Sequence, residues 1–248
     1  MAIQLYNSNA LAASNGVKII VYGRSGMGKT MLSATMPNPI VLSAEAGLLS
    51  LKKENIERVW GVNTPGITYE LPVIPIRTVQ DLVDAEVYLR TDPMGMKFNP
   101  VLDSATEIAE QVLSNAKMQV KDPRQAYGEL IEKMTKTIKA FRDLEGRHVL
   151  LLFKEERQKD EGTGLTLAQP SLPGQKMGPA TPYLTDEVFQ IAMGKNPDGS
   201  SYRYLRTQPD FSSDAKDRSG ALNELEYPHI GNVINKILGT TNQPQQQQ

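Results

Sequence analysis

A glycine-rich stretch directly after an apolar run limits the possible folds of this chain more than any other feature. The stretch "VKIIVYGRSGMGKTML" (17 to 32) fits the spacing G-x-x-x-x-G-K-[ST], in which a strand enters a loop and a helix leaves it, here from Lys29. Glycines let backbone N–H groups turn inward around a phosphate, in conformations that a β-carbon obstructs. The start of the helix adds partial positive charge. A phosphate-binding loop is therefore predicted from Gly23, Arg24, Ser25, Gly26, Met27, Gly28, Lys29 and Thr30.

The last two residues of such a loop bind the phosphates and Mg²⁺, and a further acidic residue elsewhere in the chain must also bind the ion. Lys29 is expected to reach the β- and γ-phosphates of ATP, and the Thr30 hydroxyl to bind Mg²⁺. A second acidic residue must hold Mg²⁺ from a neighbouring strand, and Asp103 ends the apolar run of "FNPVLDSATEIAE" (98 to 110). We therefore predict that Asp103 binds Mg²⁺ together with Thr30. A simpler interpretation, in which Asp103 only caps the following helix, stays open.

The amino-acid composition excludes several classes of protein and of functional site. The chain has 248 residues, 40% of them hydrophobic and 22% charged, which fits one α/β domain with a sizeable core. A net charge of −1 argues against a uniformly basic nucleic-acid coat. The absence of cysteine excludes disulfides, thiolate zinc sites and thiol catalysis, and with only His148 and His229 a transition-metal site is not expected. No segment has the apolar length of a membrane span, so we expect a cytoplasmic protein without a membrane partner.

The pattern of apolar residues predicts an α/β fold with a mostly parallel central sheet flanked by helices. Short runs rich in Val and Ile predict strands, and stripes at helical spacing predict two helices between them. A turn, "GKNPDGS", joins the last two strand-like runs and predicts a C-terminal β-hairpin. The predicted strands are 17–23, 39–45, 72–76, 100–103, 148–153, 187–193 and 201–207, and the helical stripes are 105–116 and 127–141.

One long segment without periodicity follows the fifth predicted strand. The roughly thirty residues from 154 to 182 are rich in charge, Gly and Pro, which predicts a functional or disordered loop. The end of the chain, "TTNQPQQQQ", is of low complexity and is expected to be disordered. We therefore divide the chain into an N-terminal segment (1–15), one core (16–238) and a Gln-rich tail (239–248).

A phosphate-binding loop does not by itself reveal how the phosphate is used. A GTPase-like switch is disfavoured, because "LLFKEERQKD" (151 to 160) lacks the guanine signature N-K-x-D. Three uses stay open: a RecA-like oligomeric ATPase, a phosphotransferase acting on a small molecule or nucleotide with the long loop as its lid, and a non-catalytic nucleotide-gated assembly module.

A resemblance to RecA-like ATPases favours the first use. "IVLSAEAGLLSL" (40 to 51) resembles the second core strand of that family, and "VLDSATEIAE" (101 to 110) resembles its magnesium-binding strand. "HVLLLFKEER" (148 to 157) and "GPATPYLTDEVFQI" (178 to 191) are similar to the segments around the family's second DNA loop, and "AKDRSGAL" (215 to 222) is similar to a basic pair inserted into a neighbouring subunit. The resemblance spans roughly residues 16 to 238 and is strongest to phage-encoded, reduced RecA-like proteins of single-strand annealing.

The resemblance implies several catalytic residues beyond Lys29. Glu45 corresponds to the carboxylate that polarises the attacking water, although a solvated surface glutamate is the alternative. Lys216 and Arg218 correspond to cations that complete the ATP site of a neighbour, although they also fit an ordinary charged turn. The implied assembly is a homo-oligomer, ring or filament, with ATP at its subunit interfaces.

The resemblance also implies a nucleic-acid partner. Single-stranded DNA is expected on two basic segments, one with Lys121 and Arg124, the other with Arg157, Lys159 and Lys176. A second implied partner is a single-strand DNA-binding protein, within DNA recombination in the cytoplasm of a bacterial host.

The chain departs from the family at the position that senses the γ-phosphate. RecA has an Asn-Gln pair there, and this chain has Lys154 and Glu155.

Overall fold

A ten-stranded sheet runs through the described part of the computed structural model, which comprises residues 5, 7, 8, 14–45, 47–159, 162, 164–174 and 177–240. The strands are β1 (Lys18–Gly23), β2 (Pro39–Ser43), β3 (Val73–Pro75), β4 (Asn99–Asp103), β5 (Val149–Lys159), β6 (Thr166–Pro170), β7 (Glu187–Lys195), β8 (Ser201–Arg206), β9 (Lys216–Asp217) and β10 (Leu225–Glu226). Their main order is β10-β8-β7-β1-β5-β4-β2-β3, with β6 beside β5 and β9 beside β7. The central strands, from β7 through β1, β5, β4 and β2 to β3, pair in parallel.

Helices cover both faces of the sheet. They are α1 (Lys53–Trp60), α2 (Val79–Thr91), α3 (Ala105–Gln119), α4 (Pro123–Arg142), α5 (Met177–Ala180) and α6 (Ile230–Ile237). Alternate residues of β1 show the two layers, because Ile20 and Tyr22 belong to one apolar cluster with α2, α3 and α4, whereas Ile19 and Val21 belong to a second cluster with α6. A central strand buried on both sides is the arrangement expected of a parallel α/β sheet. The predicted fold class is confirmed.

The positions of the predicted elements agree with the structure to within a few residues for most elements. Each of the seven predicted strands is present, and both helical stripes lie on helices, α3 and α4. The two helices begin at side-chain caps: Ser104 accepts a hydrogen bond from the Glu107 amide at 3.3 Å, and Asp122 accepts one from the Arg124 amide at 2.9 Å. The predicted β-hairpin is β7 with β8, and Gly199 supplies the positive φ (+84°) that its turn needs.

The long segment after residue 153 is more ordered than the sequence predicts. Strand β5 continues to Lys159, and β6 returns beside it in antiparallel register. Such a two-stranded ribbon satisfies its own backbone hydrogen bonds, so it needs no apolar periodicity and gives no strand signal in the sequence. The Tyr22 hydroxyl donates to the Ala168 carbonyl at 2.9 Å and so ties the ribbon to β1.

The helix after the phosphate loop is also different from the prediction. A 3-10 helix, Thr30–Thr35, replaces the regular helix expected from Lys29. Pro37 and Pro39 follow at once, and Asn38 between them has a positive φ of 42°. The residue before a proline is biased away from the helical region, so the helix stops after six residues.

Within the part of the chain that the structure describes, none of the helices is long and apolar enough to cross a membrane. The glutamines of the predicted tail lie outside the described residues.

Candidate functional site

The phosphate loop lies at the carboxyl end of β1, in the middle of the sheet. Two of its glycines have conformations that L-residues rarely adopt, with φ of +79° at Gly26 and +94° at Gly28. A β-carbon added at Gly26 would meet no atom within 4 Å, so the space over the loop is open. The geometry fits a loop whose backbone curls around an anion.

Lys29 places its ammonium group on the loop itself. Its Nζ donates to the carbonyl oxygens of Gly23 at 2.7 Å and Arg24 at 3.1 Å. Burial lowers the pKa of Lys29, and the carboxylates of Asp103 and Glu45 oppose that shift. The ammonium group therefore rests on the loop carbonyls, and the carboxylates of Asp103 and Glu45 favour its charged form.

Asp103 and Thr30 form the metal-side part of the site. Asp103 ends β4 with 5% of its surface exposed, and the Thr30 side chain lies close enough to its carboxyl group to act on the pKa of Asp103. Burial raises the pKa of Asp103 to about 6, against the opposing effects of Thr30 and Lys29. A buried carboxylate next to a hydroxyl is a donor set that suits Mg²⁺, so the residues fit the ion. The N-cap of α3 is Ser104, so the alternative role of Asp103 as a helix cap is wrong.

Glu45 lies beside Asp103 because their strands are neighbours. In the register of β2 with β4, Ser43 pairs with Asp103, and Glu45 follows two residues later. The Ser104 hydroxyl donates to Glu45 Oε1 at 2.7 Å, and the Ser43 hydroxyl donates to the Glu45 carbonyl at 2.6 Å. The glutamate is half-buried and held over the strand ends, whereas the alternative interpretation expects a free surface side chain. Lys29, Thr30, Asp103 and Glu45 are thus brought together.

Lys154 and Glu155, which are neighbours on β5, have side chains that point in different directions. Lys154 pairs with Gly23 in the sheet, but its Nζ forms ion pairs on α3, with Glu107 at 2.8 Å and Glu110 at 3.3 Å. Glu155 accepts a hydrogen bond from Gln190 Nε2 at 3.0 Å. Both residues act electrostatically on Lys29: Glu155 opposes the lowering of the Lys29 pKa by burial, and Lys154 adds to it.

Lys216 and Arg218 lie at the opposite end of the sheet from the phosphate loop. Lys216 is in β9, which pairs with the start of β7, and that start aligns with the amino end of β1. The Lys216 ammonium donates to the carbonyls of Pro182 and Thr185. Arg218 is 62% exposed and forms an ion pair with the exposed Asp186 at 2.6 Å. Neither cation reaches the loop of its own chain, and their role toward a neighbour stays a prediction.

The described residues among those predicted to contact DNA are exposed and lie on two segments. Lys121 and Arg124 are at the start of α4, and Arg157 and Lys159 are on the outer half of β5. Tyr127, on α4, lies against the loop after β6, where its ring carbon is 3.1 Å from an ideal β-carbon at Gly174. Lys176 lies outside the described residues, and the predicted DNA contacts stay a prediction.

Three polar residues of the site were missed by the sequence interpretation. They are Ser104, Gln190 and Arg203. Arg203, on β8, lies beside the loop, with its Nε 3.9 Å from an ideal β-carbon at Gly28. A serine after the metal-side aspartate is visible in the sequence, but the strand pairings that bring Gln190 and Arg203 to the site have no local signal.

Comparison with known proteins gives one match. A model of the AAA domain family matches residues 15–219. The matched segment contains the phosphate loop, Glu45, Asp103 and the Lys216 and Arg218 pair. A search of the curated proteins returned no match.

Proposed function

This chain belongs to the AAA domain family of P-loop ATPases, and we propose that it is an oligomeric, Mg²⁺-dependent ATPase that binds or anneals single-stranded DNA during recombination. The main structural support for ATP hydrolysis is the position of Glu45. Its carboxylate accepts a hydrogen bond from Ser104 at 2.7 Å, Ser104 follows Asp103 directly, and the charge of Glu45 acts on Lys29. A fixed acceptor next to a phosphate loop is what hydrolysis of a bound triphosphate requires.

Each residue of the cluster has one task in this proposal. The loop amides and Lys29 hold the phosphates, and Thr30 and Asp103 hold the metal ion. When bound, Mg²⁺ neutralises charge that develops on the phosphate oxygens. Glu45 orients the attacking water and takes its proton. Ser104 donates to only one oxygen of Glu45, so the other oxygen is available to the water.

Arg218 and Lys216 complete the site of a neighbouring subunit in this proposal. Support comes from their distance from their own loop and from the exposure of the Arg218 guanidinium, which among the described residues forms an ion pair with one exposed aspartate. Exposed ion pairs contribute little free energy, so Arg218 exchanges Asp186 for a phosphate at small cost. A cation supplied by a neighbouring subunit increases the rate of phosphoryl transfer by orders of magnitude.

Single-stranded DNA binds to the ribbon and to the start of α4 in this proposal. Arg157 and Lys159 are two residues apart on β5, so both side chains lie on the same face of the ribbon. Lys121 and Arg124 add charge on the neighbouring segment. The pairing of β5 with β6 and its tie to Tyr22 favour a fixed binding ribbon over the mobile lid of a phosphotransferase.

The experiment measures ATP hydrolysis by the wild-type protein with and without single-stranded DNA, at low and at high salt. We expect Mg²⁺-dependent hydrolysis that increases with DNA at low salt and loses that increase at high salt. Hydrolysis without any DNA effect, together with no DNA binding at low salt, would contradict the DNA part alone.

The subunit arrangement is tested by mixing two inactive variants. Arg218→Ala lacks the donated cation and Glu45→Gln lacks the acceptor, so mixed oligomers contain some sites with both groups intact. We expect partial recovery of turnover on mixing. No recovery, with a wild-type protein that stays monomeric in ATP, would contradict the trans arrangement.

A further inference from the structure

A cavity of about 450 Å³ opens directly beside the phosphate loop, on the side of β8. Its size is within the usual range of small-molecule sites. Six residues that matter to its chemistry line it: Met27, Gly28, Trp60, Tyr202, Arg203 and Tyr227. Because Met27 and Gly28 belong to the loop itself, a molecule whose phosphates lie in the loop has this cavity next to it.

Aromatic rings dominate one wall of the cavity. Trp60, the last residue of α1, has its ring centre 5.9 Å from that of Tyr227, edge to face at 82°. His229 holds Trp60 from another side, 5.7 Å away at 77°. The indole Nε1 is buried and has no hydrogen-bond partner among the described residues. A wall with fixed aromatic rings suits a flat heteroaromatic ligand.

The wall is held by contacts with the helix of the phosphate loop. The Ile230 amide donates to Thr35 Oγ1 at 2.9 Å, which fixes the segment of Tyr227 to the end of that helix. Lys236 and Glu226 add an ion pair of 2.7 Å. These C-terminal residues lie beyond 15–219, the segment that the family model matches. The wall therefore joins Trp60, inside the matched segment, to Tyr227, beyond it.

Arg203 supplies the charged group of the cavity. Its guanidinium lies against Gly28, and none of the ion pairs found in the described residues involves it. A planar cation at this place can contact the sugar and phosphate part of a nucleotide or stack on its base.

We propose that this cavity is the base and ribose subsite of the bound nucleotide, with Trp60, Tyr202 and Tyr227 contacting a purine base and Arg203 contacting the sugar-phosphate part. The inference rests on the proposed ATP binding and adds which residues select the base. Stacking on aromatic rings grows with the area of the base, so purine nucleotides bind more tightly than pyrimidine nucleotides.

Trp60 provides the test, because it is the only tryptophan of the chain. Its fluorescence is measured while the wild-type protein is titrated with MgATP, MgCTP and magnesium tripolyphosphate, and calorimetry measures the three affinities in parallel. We expect a saturable change in emission with ATP, a binding constant at least tenfold weaker for CTP, and little change in emission with tripolyphosphate, which has no base.

Variants separate the base subsite from the phosphate loop. We expect an affinity for ATP at least fivefold weaker, and an affinity for tripolyphosphate within twofold of wild type, in each of three variants: Trp60→Leu, Tyr227→Ala and Tyr202→Ala. Tyr183→Ala is the matched control, since its ring is 83% exposed and outside the cavity. Tyr202 is on an exposed strand, so its variant keeps the test valid if a Trp60 variant fails to fold.

The possible failures are distinguishable. If calorimetry detects ATP binding but the Trp60 emission does not change and the variants bind ATP like wild type, the base subsite is wrong and the phosphate loop stands. If the variants lose affinity for ATP and for tripolyphosphate equally, the substituted residues act on the fold, and the proposed base subsite is again wrong. If the wild type binds neither ligand, the proposed function fails together with the subsite.

Discussion

The Ser104 hydroxyl donates to Glu45 Oε1 across 2.7 Å and so links the ends of two neighbouring strands, β2 and β4. Ser104 has a second contact, because the same hydroxyl oxygen accepts a hydrogen bond from the Glu107 amide at 3.3 Å and caps α3. One side chain therefore positions the glutamate and starts the helix that follows Asp103.

Ser104→Ala should reduce turnover while nucleotide affinity stays within about twofold, because Glu45 loses its fixed orientation. We expect kcat to fall by about tenfold to a hundredfold. Steady-state ATP hydrolysis and a nucleotide titration measure the two quantities.

The lost helix cap needs a separate control for Ser104→Ala. Thr78 caps α2 through the Asp81 amide, at 3.2 Å, far from the site in sequence. Thr78→Ala should cost about 1 kcal/mol of stability, as Ser104→Ala does through its cap, and leave kcat unchanged. Ser104→Thr should retain most of the turnover. Equal kcat in Ser104→Ala and wild type would show that Glu45 needs no support from Ser104.

Gly28→Ala should weaken nucleotide binding by at least about tenfold, because its φ of +94° strains any residue with a β-carbon. Gly128→Ala is the matched control: this glycine is inside α4, and a β-carbon there meets nothing within 4 Å. We expect the control to gain about 0.5 to 1 kcal/mol in the free energy of unfolding and to bind nucleotide normally. Nucleotide titration and urea unfolding measure both variants. Normal binding by Gly28→Ala would contradict a loop that depends on this conformation.

Glu187 should make stability depend on pH. The side chain is 1% exposed, and burial, with help from the nearby Asp217, raises its pKa from 4.5 to about 8. Between these values the unfolded chain releases a proton that the folded protein keeps, so the free energy of unfolding falls as pH rises from about 4.5 to about 8.

Glu187→Gln removes that titration and should gain stability over wild type as pH rises through the same window. The gain should reach roughly 3 to 5 kcal/mol near pH 9 relative to pH 4, at about 1.4 kcal/mol per pKa unit. Urea unfolding of both proteins across this pH range measures it. Glu129→Gln, on the surface of α4, is the control and should differ from wild type by less than about 1 kcal/mol throughout. A difference for Glu187→Gln that does not vary with pH would contradict the raised pKa.

Arg157→Ala and Lys159→Ala should each weaken single-stranded DNA binding and reduce its dependence on salt. Each lost phosphate contact should lower the slope of log affinity against log salt by about 0.7. Fluorescence anisotropy at several salt concentrations measures the slope. Lys133→Ala, on α4 and paired with Glu129 at 3.0 Å, is the control and should keep the wild-type slope. Unchanged slopes in both ribbon variants would place the DNA elsewhere.

The sequence was a good guide wherever local pattern decides structure. The phosphate loop follows from glycine spacing, and the seven strands and two long helices follow from apolar periodicity, because burial on one or two faces dictates which residue types fit. Asp103 could be placed at a strand end from the apolar run before it, whereas Glu45 was assigned from the resemblance to RecA-like ATPases.

Long-range contacts could not be predicted in the same way. The Ser104 contact with Glu45, the Gln190 contact with Glu155 and the position of Arg203 depend on which strands are neighbours and in which register. The ribbon of β5 and β6 was missed because its stability comes from backbone pairing rather than from an apolar face. The aromatic wall was missed because it joins α1 to a segment more than 160 residues later.

Single-turnover hydrolysis of saturating MgATP by Glu45→Gln shows whether Glu45 is the group that accepts the proton of the attacking water. The substitution keeps the size of the side chain and its contact with Ser104 but removes the acceptor for the proton of water. We predict that the variant binds ATP as tightly as wild type and hydrolyses it at least about a hundredfold more slowly. Hydrolysis by Glu45→Gln within twofold of the wild-type rate would contradict the account.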